Sequence, residues 1–250
     1  MRVIELRNYL LKDGATGDFI RYFEEHFLFS QREEGMHVLG QFEVVDEPNR
    51  FVWIRGFENM QARFRGLSGF YGGPFWQAHS SQANGMMLEH HNVHLLRPLG
   101  RIAALTGGRS LEDLASEPPG AFPPHAGLVA VDFCRTHPGA LDRVIGLFEQ
   151  RLLPALVKQG QQMLGHFVAE LTPNSYPRLP VIQDATLLVV LSAYPDREHY
   201  ASSRTEGTTG DGWCPVLEGE MRALLAADVS TVLLRPTAKS LIRYHRKGRQ

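Results

Sequence analysis

The chain has 250 residues, a hydrophobic share of 43% and a formal net charge of -1. That length suits two domains of about 100 to 110 residues each, and the balanced charge excludes a field that would gather nucleic acid or an anionic membrane. The only two cysteines, Cys134 and Cys214, form no CxxC and no zinc spacing, which points to reduced thiols in a cytoplasmic setting.

The N-terminus alternates charged and apolar residues, unlike a signal peptide. Residues 2–11 read as a first strand, with Ile4 and Leu6 on one face and Glu5, Arg7 and Tyr9 on the other. A helix is expected over 16–34, carried by Phe19, Tyr22, Phe23 and Phe27, with Gly35 as its C-terminal stop. A second strand follows over 37–45, and Pro48-Asn49 marks a turn. The third strand, 50–57, sets Phe51, Trp53, Arg55 and Phe57 on one face. Residues 58–84 read as a helix broken at Gly72-Gly73-Pro74, and a fourth strand spans 90–96. Residues 99–125, with Gly107-Gly108, Pro118-Pro119 and Pro123-Pro124, form a linker with one helical turn expected at 110–115.

The pattern then repeats. A shift of 125 (Gly139 less Gly14) sets Phe23-Glu24 on Phe148-Glu149, and Gly40 and Phe42 on Gly165 and Phe167. The shift grows to 137 (Trp213 less Trp76) and ends at 138 (Leu233 less Leu95), where two Leu-Leu-Arg-Pro sequences coincide. This is a fused pair of βαββαβ domains, 1–98 and 126–236, followed by a basic tail over 237–250 in which residues 243–249 are expected to fray. Each copy is expected to be an α+β ferredoxin-like domain with a bare sheet face, and the two bare faces are expected to cover each other as an intramolecular barrel. Arg7 and Asp132, equivalent positions of opposite charge, are expected to meet in that contact, or else Glu5 with a nearby arginine.

The stretches Ile4–Tyr9 with Gly14, Trp53–Phe57, Arg63 through Trp76, and Asn92–Pro98 resemble the NIPSNAP family of the dimeric α/β-barrel superfamily. The resemblance covers residues 3–98 well and the second copy loosely. It implies the same fold, and relatives that include cofactor-free monooxygenases, isomerases, cyclases and haem enzymes; fold alone does not choose among them.

Differences between the copies guide the choice of site. The first holds His26, His37, His79, His90, His91 and His94, and none of these stays histidine in the second. The pocket is therefore expected between the sheet and helices of the first copy. His26 and His94 are candidate general bases, with a satisfied core histidine as the alternative for His26. Arg63 faces inward and needs either an internal carboxylate (Glu5, Glu43 or Glu58) or an anionic ligand. Trp53, Arg55, Tyr71, Trp76, His79 and His37 are candidates to hold a planar substrate. His90, Asn92 and His94 alternate on one strand face; at about 3.3 Å per residue the outer two lie about 13 Å apart, too far for one metal.

The reading expected is a small-molecule enzyme without metal or nucleotide cofactor, a monooxygenase or an isomerase or cyclase, with a further homodimer possible. Its rivals are a non-catalytic binding protein, in which Arg63 is paired internally, and a haem protein with His199 as axial ligand.

Overall fold

A computed structural model describes residues 1–100, 103–205 and 215–245. Trp213, Cys214 and the last five residues lie outside them. The first copy runs β1 (Val3–Leu11), α1 (Thr16–Glu33), β2 (His37–Val44), β3 (Glu47–Phe57), α2 (Met60–Gly72), α3 (Pro74–Gly85) and β4 (Met87–Pro98). The linker holds the short α4 (Ala103–Thr106) and two 3-10 turns, Glu112–Leu114 and Pro124–Ala126. The second copy runs β5 (Leu128–Arg135), α5 (Leu141–Leu147), a π turn (Phe148–Leu152), α6 (Leu153–Lys158), β6 (Gln162–Ala169), β7 (Leu187–Tyr194), α7 (Arg197–Thr205), α8 (Pro215–Arg222) and β8 (Ser230–Pro236). Gly35 and Gly160 take positive φ, 74° and 85°, just past the helices they end. Among the described residues no helix is long and apolar enough to cross a membrane.

The eight strands close into one barrel, in the order β1-β3-β2-β8-β5-β7-β6-β4. Each copy contributes four neighbouring strands, and two short joints link the copies. Phe42 pairs with Pro236 at one joint and Phe167 with Pro98 at the other, the same residue types related by the repeat. Closure leaves no sheet edge open. Gly40 permits the tight fit near the first joint, because a Cβ there would lie 2.5 Å from the Phe42 ring. The inward face is apolar, with Ile4, Leu6, Val52, Ile54, Val129, Val131 and Val189 among its buried residues. Burying such a side chain stabilises by about 1.5–3 kcal/mol.

Four expectations need correction. Pro48-Asn49 is not the turn: both residues lie in β3, and the chain reverses at 45–46. Arg7 and Asp132 do not meet between the sheets. Both sit on the outward, helix-facing side, since strand alternation sends Ile4 and Leu6 inward instead. Arg7 pairs with Glu5 of its own strand, and Asp132 with Arg204. The three residues His90, Asn92 and His94 do not share a face either. A shift of register between β1 and β4 beside His90 turns its ring against Tyr9, 6.2 Å away, while Asn92 and His94 line a cavity with inward-facing Leu6 and Val52. Finally, Arg243, the first of the residues expected to fray, is buried. Residues 237–243 are buried, and the segment bonds to β2 through Thr237 and Leu241 and to the linker through Ala238 and Tyr244. The buried Glu24 carboxylate gathers these pieces. It accepts from the Gly120 N–H at 2.6 Å, the Thr237 hydroxyl and the Lys239 N–H.

Candidate functional site

In the first copy the space between sheet and helices is occupied by charge and aromatic rings. Register places Glu5 opposite Arg55 and Arg7 opposite Trp53. Arg63 comes from the start of α2, whose N-cap Asn59 accepts from the Ala62 N–H. All three arginines converge on Glu5 at 2.7 Å: Arg7 and Arg55 on one carboxylate oxygen, Arg63 on the other. Arg7 also donates to the Tyr9 hydroxyl, and Arg55 to Gln31. The Trp53 ring lies between the Arg7 and Arg55 guanidiniums, 5.3 and 4.9 Å away. Glu5, Arg55 and Arg63 are fully buried. Burial alone would raise the Glu5 carboxyl, but the charges of Arg55, Arg7 and Arg63 overcome it and hold it far below the usual carboxylate range.

A strap from the second copy closes this cluster. The 45–46 turn that joins β2 to β3 becomes residues 170–186 between β6 and β7. Arg63 donates to Asn174 at 2.9 Å and to Ser175 at 3.2 Å, and the Tyr176 ring stacks on Tyr71. Leu179 and Val181 pack against the same core.

The candidate residues thus separate. Trp53, Arg55 and Arg63 meet around Glu5, with Tyr71 6.0 Å from the Arg55 guanidinium. Trp76 touches Tyr71 and Phe27. His26 and His79 form another group between α1 and α3, 4.4 Å apart, with the Tyr22 hydroxyl 2.6 Å from His79. His37 is exposed at the start of β2. His94 lies inside the barrel, across the sheet from Arg63. His199 is exposed on α7 with Asp196 at 2.8 Å. Among the described residues no group of three or more histidine, cysteine, aspartate or glutamate side chains could hold a metal.

The hollow expected in the first copy is found in the second. There a cavity of about 660 Å³ lies between the sheet and α5–α8. Its origin is a loss of bulk at equivalent positions: Tyr9 becomes Cys134, Phe51 becomes Leu188, Trp53 becomes Val190 and Arg55 becomes Ser192. Phe148, Leu152 and Leu156 line the opposite wall. Pro154 has no N–H for the preceding turn, and the helix widens there into the π turn that carries Phe148 and Leu152.

Among the charged lining residues Asp132, Arg204, Arg222 and Asp228, the first two form a pair. Both Asp132 oxygens accept from Arg204, at 2.8 and 2.7 Å, and Thr231 donates to the same carboxylate at 2.6 Å. Burial lowers the Arg204 guanidinium, but the Asp132 charge outweighs it and raises the guanidinium above its usual value. The Ser192 hydroxyl donates to Tyr194 at 3.2 Å. Cys134 also faces the cavity; burial, and then the Asp132 charge, push its thiol up to about 12. It is a neutral thiol near pH 7, not a nucleophile. In a Cys214→Ser variant, iodoacetamide at pH 8 is expected to alkylate Cys134 about a thousandfold more slowly than a free thiol, since only about one thiol in ten thousand is ionised. Complete labelling within minutes, read by mass, would contradict that environment.

Sequence reasoning set Asp132 against Arg7 rather than on a cavity wall, and it missed Arg204 and the strap. The growth of the repeat shift from 125 to 137 was the signal for the strap, and the replacement of large residues by small ones was the signal for the cavity.

No protein-family model matches the sequence, and no curated protein matches it. Solved structures do. A candidate monooxygenase from Lactobacillus acidophilus superposes over 97% of this chain and 99% of its own, with TM-score 0.59 and 10% identity. An anthrone oxidase-like protein covers 94% of this chain and 91% of its own, with TM-score 0.58 and 10% identity. At such identity the likeness is one of fold: the chain is a dimeric α/β barrel folded within a single polypeptide. NIPSNAP family proteins are also among the similar structures, over about two fifths of the chain; a NIPSNAP-like domain protein from Burkholderia xenovorans covers 39% of this chain and 85% of its own, at TM-score 0.37 and 22% identity.

Proposed function

We propose that the protein is a small-molecule enzyme that binds a planar, acidic aromatic or enolisable compound in the second copy's cavity and oxidises or isomerises it without a metal or nucleotide cofactor. One observation carries this reading: a ligand-sized, mostly apolar hollow with the Asp132–Arg204 carboxylate–guanidinium pair set in its wall. The apolar wall holds the rings and excludes water. Asp132 takes the proton from the acidic C–H or O–H. Arg204 turns toward the oxyanion that forms. In an isomerisation the proton returns at another carbon. In an oxygenation the electron-rich anion reduces dioxygen directly; a ring CH₂ becomes C=O, one oxygen atom enters the product and the other leaves as water.

The fold likeness to an anthrone oxidase-like protein suggests anthrone as the first compound to try. Saturable binding and faster conversion to anthraquinone in aerated buffer are expected. Val190→Trp restores the bulk that Trp53 provides in the first copy and is expected to abolish both while the protein stays folded. Binding that is unchanged in Val190→Trp would remove the cavity from the proposal. A non-catalytic binding protein is the second reading, favoured by the internal pairing of Arg63 with Glu5; a compound that binds and is recovered unaltered would support it.

A further inference from the structure

We propose that the inside of the barrel holds a second binding site, for a small monocyclic carboxylate. Eight-stranded barrels have interiors just wide enough to be filled by side chains or to hold one small ligand. Most of this interior is filled with aliphatic residues, but a cavity of about 240 Å³ remains, open to solvent on the side of Arg135 and Ser230. It has room for about eight waters at ~30 Å³ each.

The cavity sits where the two copies face each other, and its walls come in equivalent pairs. Asn8 corresponds to Phe133, Asn92 to Ser230 and His94 to Val232. The first copy supplies two amides and an imidazole; the second supplies a benzene ring, a methyl-bearing chain and one hydroxyl. A ligand with one polar edge and one flat apolar face matches that division. His94 lies 5.2 Å from the Phe133 ring, and its Nδ1 is buried without a hydrogen-bond partner. An unpaired buried polar atom is costly, which a hydrogen-bonding guest would relieve.

Charge chooses the class of guest. Arg135 is the one cation among the lining residues, and none of them is acidic. Arg135 donates its Nε to Asp184 at 3.0 Å, which belongs to the strap. The strap also pairs with β4 beside His94, through Leu95 N–H to Ile182 O at 3.1 Å and Ile182 N–H to Val93 O at 2.7 Å. Burial and the Arg135 charge push the His94 imidazole below its usual pKa, so it is neutral and pairs as an ordinary hydrogen-bonding group. The carboxylate would meet Arg135 and the ring would lie on Phe133.

Benzoate is the probe, with benzamide as its uncharged counterpart, and the His94 ring resonances as the readout beside calorimetry. Saturable benzoate binding that shifts those resonances is expected. Arg135→Gln is expected to weaken benzoate at least tenfold and benzamide little. Asn92→Leu is expected to weaken both, and Val190→Trp, which fills the other cavity, to weaken neither. No binding up to about 10 mM benzoate, or binding equal in wild type, Arg135→Gln and Asn92→Leu, would overturn the proposal.

Discussion

Replacing Glu5 by leucine is expected to cost the fold about 3–5 kcal/mol, since the substitution leaves buried arginines without their carboxylate. Three guanidiniums and one carboxylate share a space buried from bulk solvent. The cluster already carries a surplus of positive charge, which Tyr9, Gln31, Trp53 and the strap moderate through hydrogen bonds and ring faces. Removing the single negative group strands all three cations. Urea titration should show the loss, and the melting temperature should fall by roughly 10 °C. Glu5→Gln keeps the shape and one acceptor and should fall between leucine and wild type. A loss under about 1 kcal/mol for leucine would mean that Glu5 does not bind the cluster together. The pH dependence follows with a definite sign. The folded pKa of Glu5 lies below its unfolded value. Its contribution is therefore complete above the ordinary carboxylate range and disappears as pH falls below it. Wild type should lose stability steeply in acid, and Glu5→Gln less steeply.

Asp132→Asn is expected to lower turnover by about 10²–10⁴-fold, the range a positioned general base contributes. Asparagine still accepts from Thr231, and Arg204 keeps partial contact with solvent, so the fold should survive. Single-turnover rates with anthrone, or with any compound the cavity converts, measure the effect. Cys134→Ala should change the same rate only a few-fold, because the thiol is neutral. Rates within threefold of wild type for Asp132→Asn would assign the base elsewhere.

The element order of both copies was legible because apolar spacing repeats across the two halves and each copy confirms the other. Barrel closure followed from the sheet face that each copy's helices leave bare, and β7, Leu187–Tyr194, is buried throughout. The location of the hollow was not legible in the same way. Histidines and arginines stand out in a sequence, whereas space is made by what is absent; Val190 and Ser192 look unremarkable until Trp53 and Arg55 are seen at the equivalent places. The partner of Arg63 was within reach, since Glu5 was one of three candidates. Asn174 and Ser175 were not, because they lie more than a hundred residues away and reach Arg63 from the other copy. The turn of His90 away from Asn92 depends on a register shift that no alternation pattern announces.

The strap makes the first half depend on the second. Two identical subunits of the ancestral kind would each have to guard their own arginines, but here the cover for one half is encoded in the other. Expressed by itself, the front half would lack Asn174, Ser175 and Tyr176. Arg63 would then be left without the two oxygen acceptors that the strap supplies.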